Sequence, residues 1–108
     1  MFGLGGGILC RFLARQFSNL SLDVVEPDTK IIQIAKEHFS LTESSIQNLR
    51  IHQTDGRSYL NKSTQVYDMI ILDAFDAIYI PADLMGIEFL RLVHSRLKES
   101  GVFIANTW

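Results

Sequence analysis

Two aspartates at i and i+3, Asp73 and Asp76, follow directly on an apolar run from Met69 to Leu72. Such a run suits a parallel strand buried on both faces, and ligands of open α/β sheets sit beyond the carboxyl ends of the strands. An acid at that edge can take a proton from an amine and free its lone pair for attack. Asp73 would then face the reacting centre, with Asp76 binding or orienting a cationic amine. An ammonium between them would relieve the repulsion of two neighbouring carboxylates. The plain alternative is that Asp76 only caps a turn. Tyr79 borders the same loop and is placed to line a substrate pocket, whereas Met85 reads as packing.

A second group of residues could hold a nucleoside. Gly3, Gly5, Gly6 and Gly7 form a loop ahead of a helical pattern, and the free N–H groups of that helix suit an anion or a polar cofactor tail. The spacing is G-x-G-x-G, because Ile8 stands where a dinucleotide fingerprint would have glycine. Glu26 lies about 20 residues beyond the loop, at the end of an expected strand, where a carboxylate can accept both ribose hydroxyls. Loop and acid together are more specific than either alone. Asp55-Gly56 reads equally as an ordinary turn pair or as a contact to an adenine amino group.

The elements that must position these residues alternate. Met1, Phe2 and Leu4 form the stub of a first strand, and Ile8 to Phe17 a helix with apolar residues at Ile8, Leu9, Phe12, Leu13 and Phe17. Leu20 to Glu26 is a second strand. Asp28 caps a helix to about Phe39, with Ile31, Ile34, Ala35 and His38 on one side. Leu49 to Thr54 is a third strand, Ser58 to Lys62 a helical turn and Tyr67 to Asp73 a fourth strand. Asp83 is expected to cap a helix carrying Leu84, Ile87, Phe89, Leu90, Val93 and Leu97 that stops at Gly101. Val102 to Thr107 is a fifth strand. The order β-α-β-α-β-α-β-α-β implies right-handed crossovers and a parallel sheet in one domain, residues 1–108. The first strand is very short for a central strand and the chain stops after the fifth, which reads as a truncated piece of a longer domain.

Composition narrows the classes. The 108 residues are 47% hydrophobic and 20% charged, with a net charge of -2, the balance of a soluble globular domain. The basic residues are scattered, so there is no footprint for nucleic acid. No window approaches the roughly 18 apolar residues of a membrane span, so the expected location is the cytoplasm. Cys10 alone cannot form an internal disulfide and reads as a small apolar helix residue. His38, His52 and His94 have no ligand spacing, and no metal is expected.

The segments GLGGGIL, VVEPD, TDGRSYL and LDAFDAIYIPADLMGIEFLRLV resemble the polyamine aminopropyltransferases, the spermidine synthases and their bacterial relatives, over nearly the whole chain. The most specific part is the D-x-x-D loop followed by Ile80, Pro81, Leu84, Glu88 and Phe89. The resemblance implies the class I methyltransferase fold, a Rossmann-like doubly wound sheet of order 3-2-1-4-5. It further implies Glu26 as the ribose acid, Asp55 as the adenine acid, Asp73 as the proton acceptor and Asp76 as a second amine contact. The reaction would move an aminopropyl group from decarboxylated S-adenosylmethionine to an amine such as putrescine, and a homodimer would be in keeping with the family. The sequence departs from the family pattern in three ways, one being that it lacks the amino-terminal β-hairpin domain and the strands after the fifth that complete the amine pocket in the family. Gly6 stands where spermidine synthases carry an acid in the glycine loop, and Ala74, Phe75 and Ala77 replace the serines and proline of their acid loop. Two other functions use the same residues: an S-adenosylmethionine-dependent methyltransferase acting on a small molecule, and a catalytically silent fragment or interaction module.

Overall fold

The computed structural model describes residues 1–42, 44–75 and 79–107. Along the chain run α1 (Ile8–Gln16), β1 (Leu22–Val25), α2 (Thr29–Phe39), β2 (Leu49–His52), α3 (Gly56–Lys62), β3 (Tyr67–Leu72), a 3₁₀ turn (Ala82–Leu84), α4 (Ile87–Ser95) and β4 (Leu97–Ala105). β1 pairs in parallel with β2, Leu22 opposite Leu49 and Val25 opposite His52. β3 pairs in parallel with β4, from Tyr67 opposite Leu97 to Leu72 opposite Ala105. Phe2 joins the two pairs by parallel bridges to Val25 and Leu72. The sheet order is therefore β2-β1-Phe2-β3-β4. With Phe2 counted as the first of five strands, this is the 3-2-1-4-5 order expected.

Side-chain alternation along the strands sends residues to two cores, one on each face. Leu22, Val24 and Leu49 pack with Cys10, Ile32, Ala35 and Leu41 under α1 and α2. Phe2, Val25, Ile70 and Leu72 pack with Leu60, Leu84, Phe89 and Val93 under α3 and α4. All four residues of β1 are buried, as befits a strand covered on both sides. Cys10 is fully buried, and burial pushes its thiol up, away from reactivity.

Several boundaries differ from expectation. Asp83 caps no helix: it lies in the 3₁₀ turn that drives Leu84 into the core, and α4 starts after Gly86 with no side-chain cap. Gly101 does not end α4, which closes at Ser95. It lies inside β4, where six residues from Leu97 to Val102 run against three from Tyr67 to Met69, a bulge. In α2 the buried residues are Ile32 and Ala35, while Ile34 and His38 face outward. Met85 is exposed rather than packed. Among the described residues no helix is long and apolar enough to cross a membrane.

Candidate functional site

The carboxyl ends of β1 and β3 meet the glycine loop at one edge of the sheet. One short segment, Phe2-Gly3-Leu4, organises this edge through three successive hydrogen bonds. The Asp73 N–H donates to the Phe2 carbonyl at 2.9 Å, the Gly3 N–H to the Val25 carbonyl at 2.9 Å, and the Leu4 N–H to Glu26 Oε2 at 3.0 Å. Asp73 and Glu26, far apart in sequence, are thus hung on Phe2 and Leu4, either side of Gly3.

Close packing at Gly3 enforces this. It has φ +92°, and a Cβ there would come within 2.2 Å of the Asp73 carbonyl oxygen. Gly7, the N-cap of α1, has φ +74°, and a Cβ would strike Leu41 at 2.3 Å. Both positions demand glycine for backbone and for space. Gly3→Ala is expected to destabilise the fold by at least about 2 kcal/mol, since left-handed strain adds to overpacking. A thermal melt within a degree of the parent would remove the close approach of Gly3 to Asp73.

Gly5 and Gly6 lie over the loop, Gly5 in open space and Gly6 against the ring of Phe39, 3.1 Å from where a Cβ would sit. Phe39 thus stands where an acid at position 6 would project. Its carbonyl is held by the Arg11 guanidinium. At the head of α1 no side chain caps the helix and no acid occupies its first turn, so its N–H groups and positive dipole end point to the loop uncompensated.

Glu26 is buried, 6% exposed. Oε2 accepts from Leu4 and Oε1 from the Asp28 N–H at 3.0 Å. A carboxylate has further lone pairs on each oxygen, so Glu26 can brace the glycine loop and still receive hydroxyls. Asp28 in turn caps α2 by accepting from Lys30 N at 2.8 Å.

Asp55 is exposed and caps α3, its Oδ1 accepting from Ser58 N at 2.7 Å. The hydrogen bond from Ser58 holds its carboxyl below the usual range, which keeps it an acceptor with Oδ2 available. Turn chemistry and a ligand contact are thus compatible at this residue. Gly56 has a packing role: a Cβ would lie 2.9 Å from the Phe2 ring and 3.1 Å from Leu84.

Asp73 is half-buried just past β3, and its Oδ1 accepts from Asn106 Nδ2 at 2.8 Å. Asn106 follows β4 and is fixed by its own N–H, which donates to the Leu72 carbonyl at 2.8 Å. One Asp73 oxygen is therefore anchored by an amide while the other is left for an incoming donor. Asn106 was not singled out in the sequence; its signal is its place at the end of the neighbouring strand. Asp76 lies outside the described residues. Tyr79 is 75% exposed. Among the described residues no group of three or more His, Cys, Asp or Glu could hold a metal ion.

A second polar cluster, also unforeseen, lies away from this edge. Asp23, 6% exposed in β1, accepts from Arg50 Nε at 2.7 Å and from the Tyr67 hydroxyl at 3.1 Å, with His52 Nε2 at 2.8 Å. Tyr59 joins through the Tyr67 hydroxyl at 2.7 Å, and burial pushes its phenol up. It ties β1, β2, β3 and α3 together on the α3/α4 face.

Comparison with known proteins agrees with this fold. A family model described as spermine/spermidine synthase domain matches residues 3–107. The chain is 40% identical over its whole length to a polyamine aminopropyltransferase of Vibrio vulnificus, and covers 36% of that protein. It is 31% identical to a probable polyamine aminopropyl transferase of Bifidobacterium longum, covering 98% of the chain and 23% of that protein. The chain thus spans well under half the length of these relatives. Human methyltransferase-like protein 13, solved in complex with SAH, superposes with a TM-score of 0.81 at 28% identity, over 94% of this chain and 50% of that one. The Rossmann-like parallel sheet of methyltransferase type is what that solved structure shares with this chain, and the chain belongs to the spermine/spermidine synthase domain family.

Proposed function

We propose that this domain binds an adenosyl-sulfonium donor over Gly3 to Gly7, with Glu26 on the ribose and Asp55 on the adenine, and transfers its aminopropyl group to an amine such as putrescine. The observation that carries the reading is the pairing of Asp73 with Glu26 on one strand end, with one Asp73 oxygen anchored by Asn106. The names of the aminopropyltransferase relatives support the donor and acceptor classes.

In this reading the free Asp73 oxygen accepts a proton from the amine. The nitrogen lone pair forms a bond to the carbon beside the sulfonium as the carbon–sulfur bond breaks, and methylthioadenosine leaves. A sulfonium is already an activated leaving group, so the residues chiefly align the partners and keep the nucleophile neutral. Asp76 and Tyr79 complete the amine side of the pocket, and a homodimer in the cytoplasm is part of the same reading.

A second reading is methyl transfer from S-adenosylmethionine to a small molecule. It is favoured by the SAH-bound methyltransferase neighbour and by Gly6, which leaves no acid in the loop to hold an aminopropyl amine. Calorimetry with decarboxylated S-adenosylmethionine, S-adenosylmethionine and methylthioadenosine separates the two. Tighter binding of the decarboxylated donor is expected; a preference for S-adenosylmethionine supports the second reading, and no binding of any supports a silent module. For Glu26→Gln, methylthioadenosine affinity is expected to fall about 10- to 100-fold, the loss of charged hydrogen bonds. Unchanged affinity would remove Glu26 from the ribose.

A further inference from the structure

The cluster around Asp23 reaches the candidate site through one residue, His52, the last of β2. Its carbonyl accepts from the Glu26 N–H at 3.0 Å and from the N–H of Thr54, the residue ahead of Asp55, at 3.1 Å. Its Nε2 lies 2.8 Å from Asp23 Oδ1 in β1, and its ring centre 4.8 Å from that of Tyr59 in α3, tilted by 49°. Given Glu26 on the ribose and Asp55 on the adenine, the reading on which this rests, we infer that His52 is a positioning residue. It sets the spacing of those two acids and with it the preference for an adenosine ligand.

The backbone alone leaves that spacing loose. β2 is the outer strand, paired among the described residues with β1, and the pairing ends at Val25 opposite His52. Past that pair the chain leaves the sheet through Gln53 and Thr54 before Asp55 caps α3. A single hydrogen bond from Glu26 at a strand end permits rotation about it, and the two contacts of the His52 side chain remove that freedom. One goes to β1, which delivers Glu26 three residues after Asp23. The other goes to α3, whose first turn is built on Asp55. There the Ser58 N–H donates to Asp55 Oδ1 at 2.7 Å and the Tyr59 N–H to the Asp55 carbonyl at 3.0 Å. Moving Tyr59 therefore moves Asp55.

Both contacts meet fixed partners. Asp23 also accepts from Arg50 Nε at 2.7 Å and from the Tyr67 hydroxyl at 3.1 Å, and the Tyr59 hydroxyl is 2.7 Å from that of Tyr67. As a carboxylate Asp23 only accepts, so the proton of this bond lies on His52 Nε2 whether the ring is neutral or charged. A charged hydrogen bond to a ligand needs its acceptor held within about 0.5 Å, which supporting contacts of this kind supply.

The test measures calorimetric affinity of the chain for adenosine, for 2′-deoxyadenosine, which lacks one hydroxyl for Glu26, and for purine riboside, which lacks the amino group for Asp55. The parent is expected to favour adenosine over each by about 10-fold, the worth of one charged hydrogen bond. His52→Leu is expected to cut both preferences to about 3-fold or less, and His52→Gln, which keeps a donor for Asp23 but no ring for Tyr59, to fall between. These ratios separate positioning from stability, because a smaller folded fraction weakens all three ligands by the same factor and leaves the ratios alone. Parental ratios in either variant would overturn the proposal, even if every affinity fell. A parent that binds none of the three, or all three equally, would instead overturn the nucleoside reading of Glu26 and Asp55, and the role of His52 with it.

Discussion

Asp73→Asn is expected to lower aminopropyl transfer by about 10²- to 10⁴-fold, the range for removing a positioned general base, while leaving nucleoside affinity within a few-fold of the parent. The separation of the two effects follows from where the bonds lie. The backbone N–H of Asp73 holds the Phe2 carbonyl and its carbonyl packs on Gly3, and both survive the substitution. The Asn106 amide still finds an oxygen at the substituted side chain. What disappears is the second oxygen's capacity to accept a proton, so the nucleophile stays an ammonium. Single-turnover rates with a saturating donor, beside calorimetric affinity for methylthioadenosine, check this. A rate within about 10-fold of the parent would take the base role from Asp73. Loss of nucleoside affinity in step with the rate would instead mean that Asp73 shapes the glycine loop rather than the proton transfer. Asn106→Ala should act more weakly, because the base remains and only its orientation loosens.

The readability of this site in sequence differed residue by residue, for physical reasons. Glycines at positive φ, an acid at a strand end and an acid ahead of a helix are local devices, so the structural places of Gly3, Gly7, Glu26 and Asp55 could be read from spacing, whereas the adenine role of Asp55 needed the family resemblance. Phe2 could be assigned to the central strand because β-α alternation leaves it no other place, though its single-residue contribution is a matter of bridges that only coordinates reveal. The helix supposed to start at Asp83 failed because Leu84 continues the apolar period of α4 while belonging to a separate turn, and periodicity cannot mark that break. Gly101 misled similarly, since a glycine past a helix and a glycine in a bulge look alike in sequence. Asn106 and the cluster around Asp23 escaped altogether. Each depends on which residues face one another across parallel strands, and register is fixed by tertiary packing rather than by composition.

The Asp23 cluster yields the largest effect expected on stability. Burial alone would push its carboxyl up, but the hydrogen bonds from Arg50 and His52, the charge of Arg50 and the Tyr67 hydroxyl outweigh it and hold the carboxyl well below the usual range. Asp23→Ala would leave the Tyr67 hydroxyl and the His52 ring without their acceptor beneath α3. The expected loss is about 3 kcal/mol, at the low end for breaking a buried pair because Arg50 is half exposed and water can take its guanidinium back. For a domain of this size that corresponds to a fall in Tm of more than ~10 °C. The sign of the pH dependence is fixed by the direction of the shift. A carboxyl lowered in the folded state stabilises above its unfolded value, near 4, and that contribution drains away as pH falls below it. The gap in stability between parent and Asp23→Ala should therefore be full at pH 7 and shrink steadily between about pH 4 and pH 2. Urea unfolding of both proteins across that range checks it. A gap that stays constant on acidification would mean that Asp23 acts by packing and neutral hydrogen bonds alone, and that the ion pair with Arg50 contributes nothing to holding β1 and β2 together.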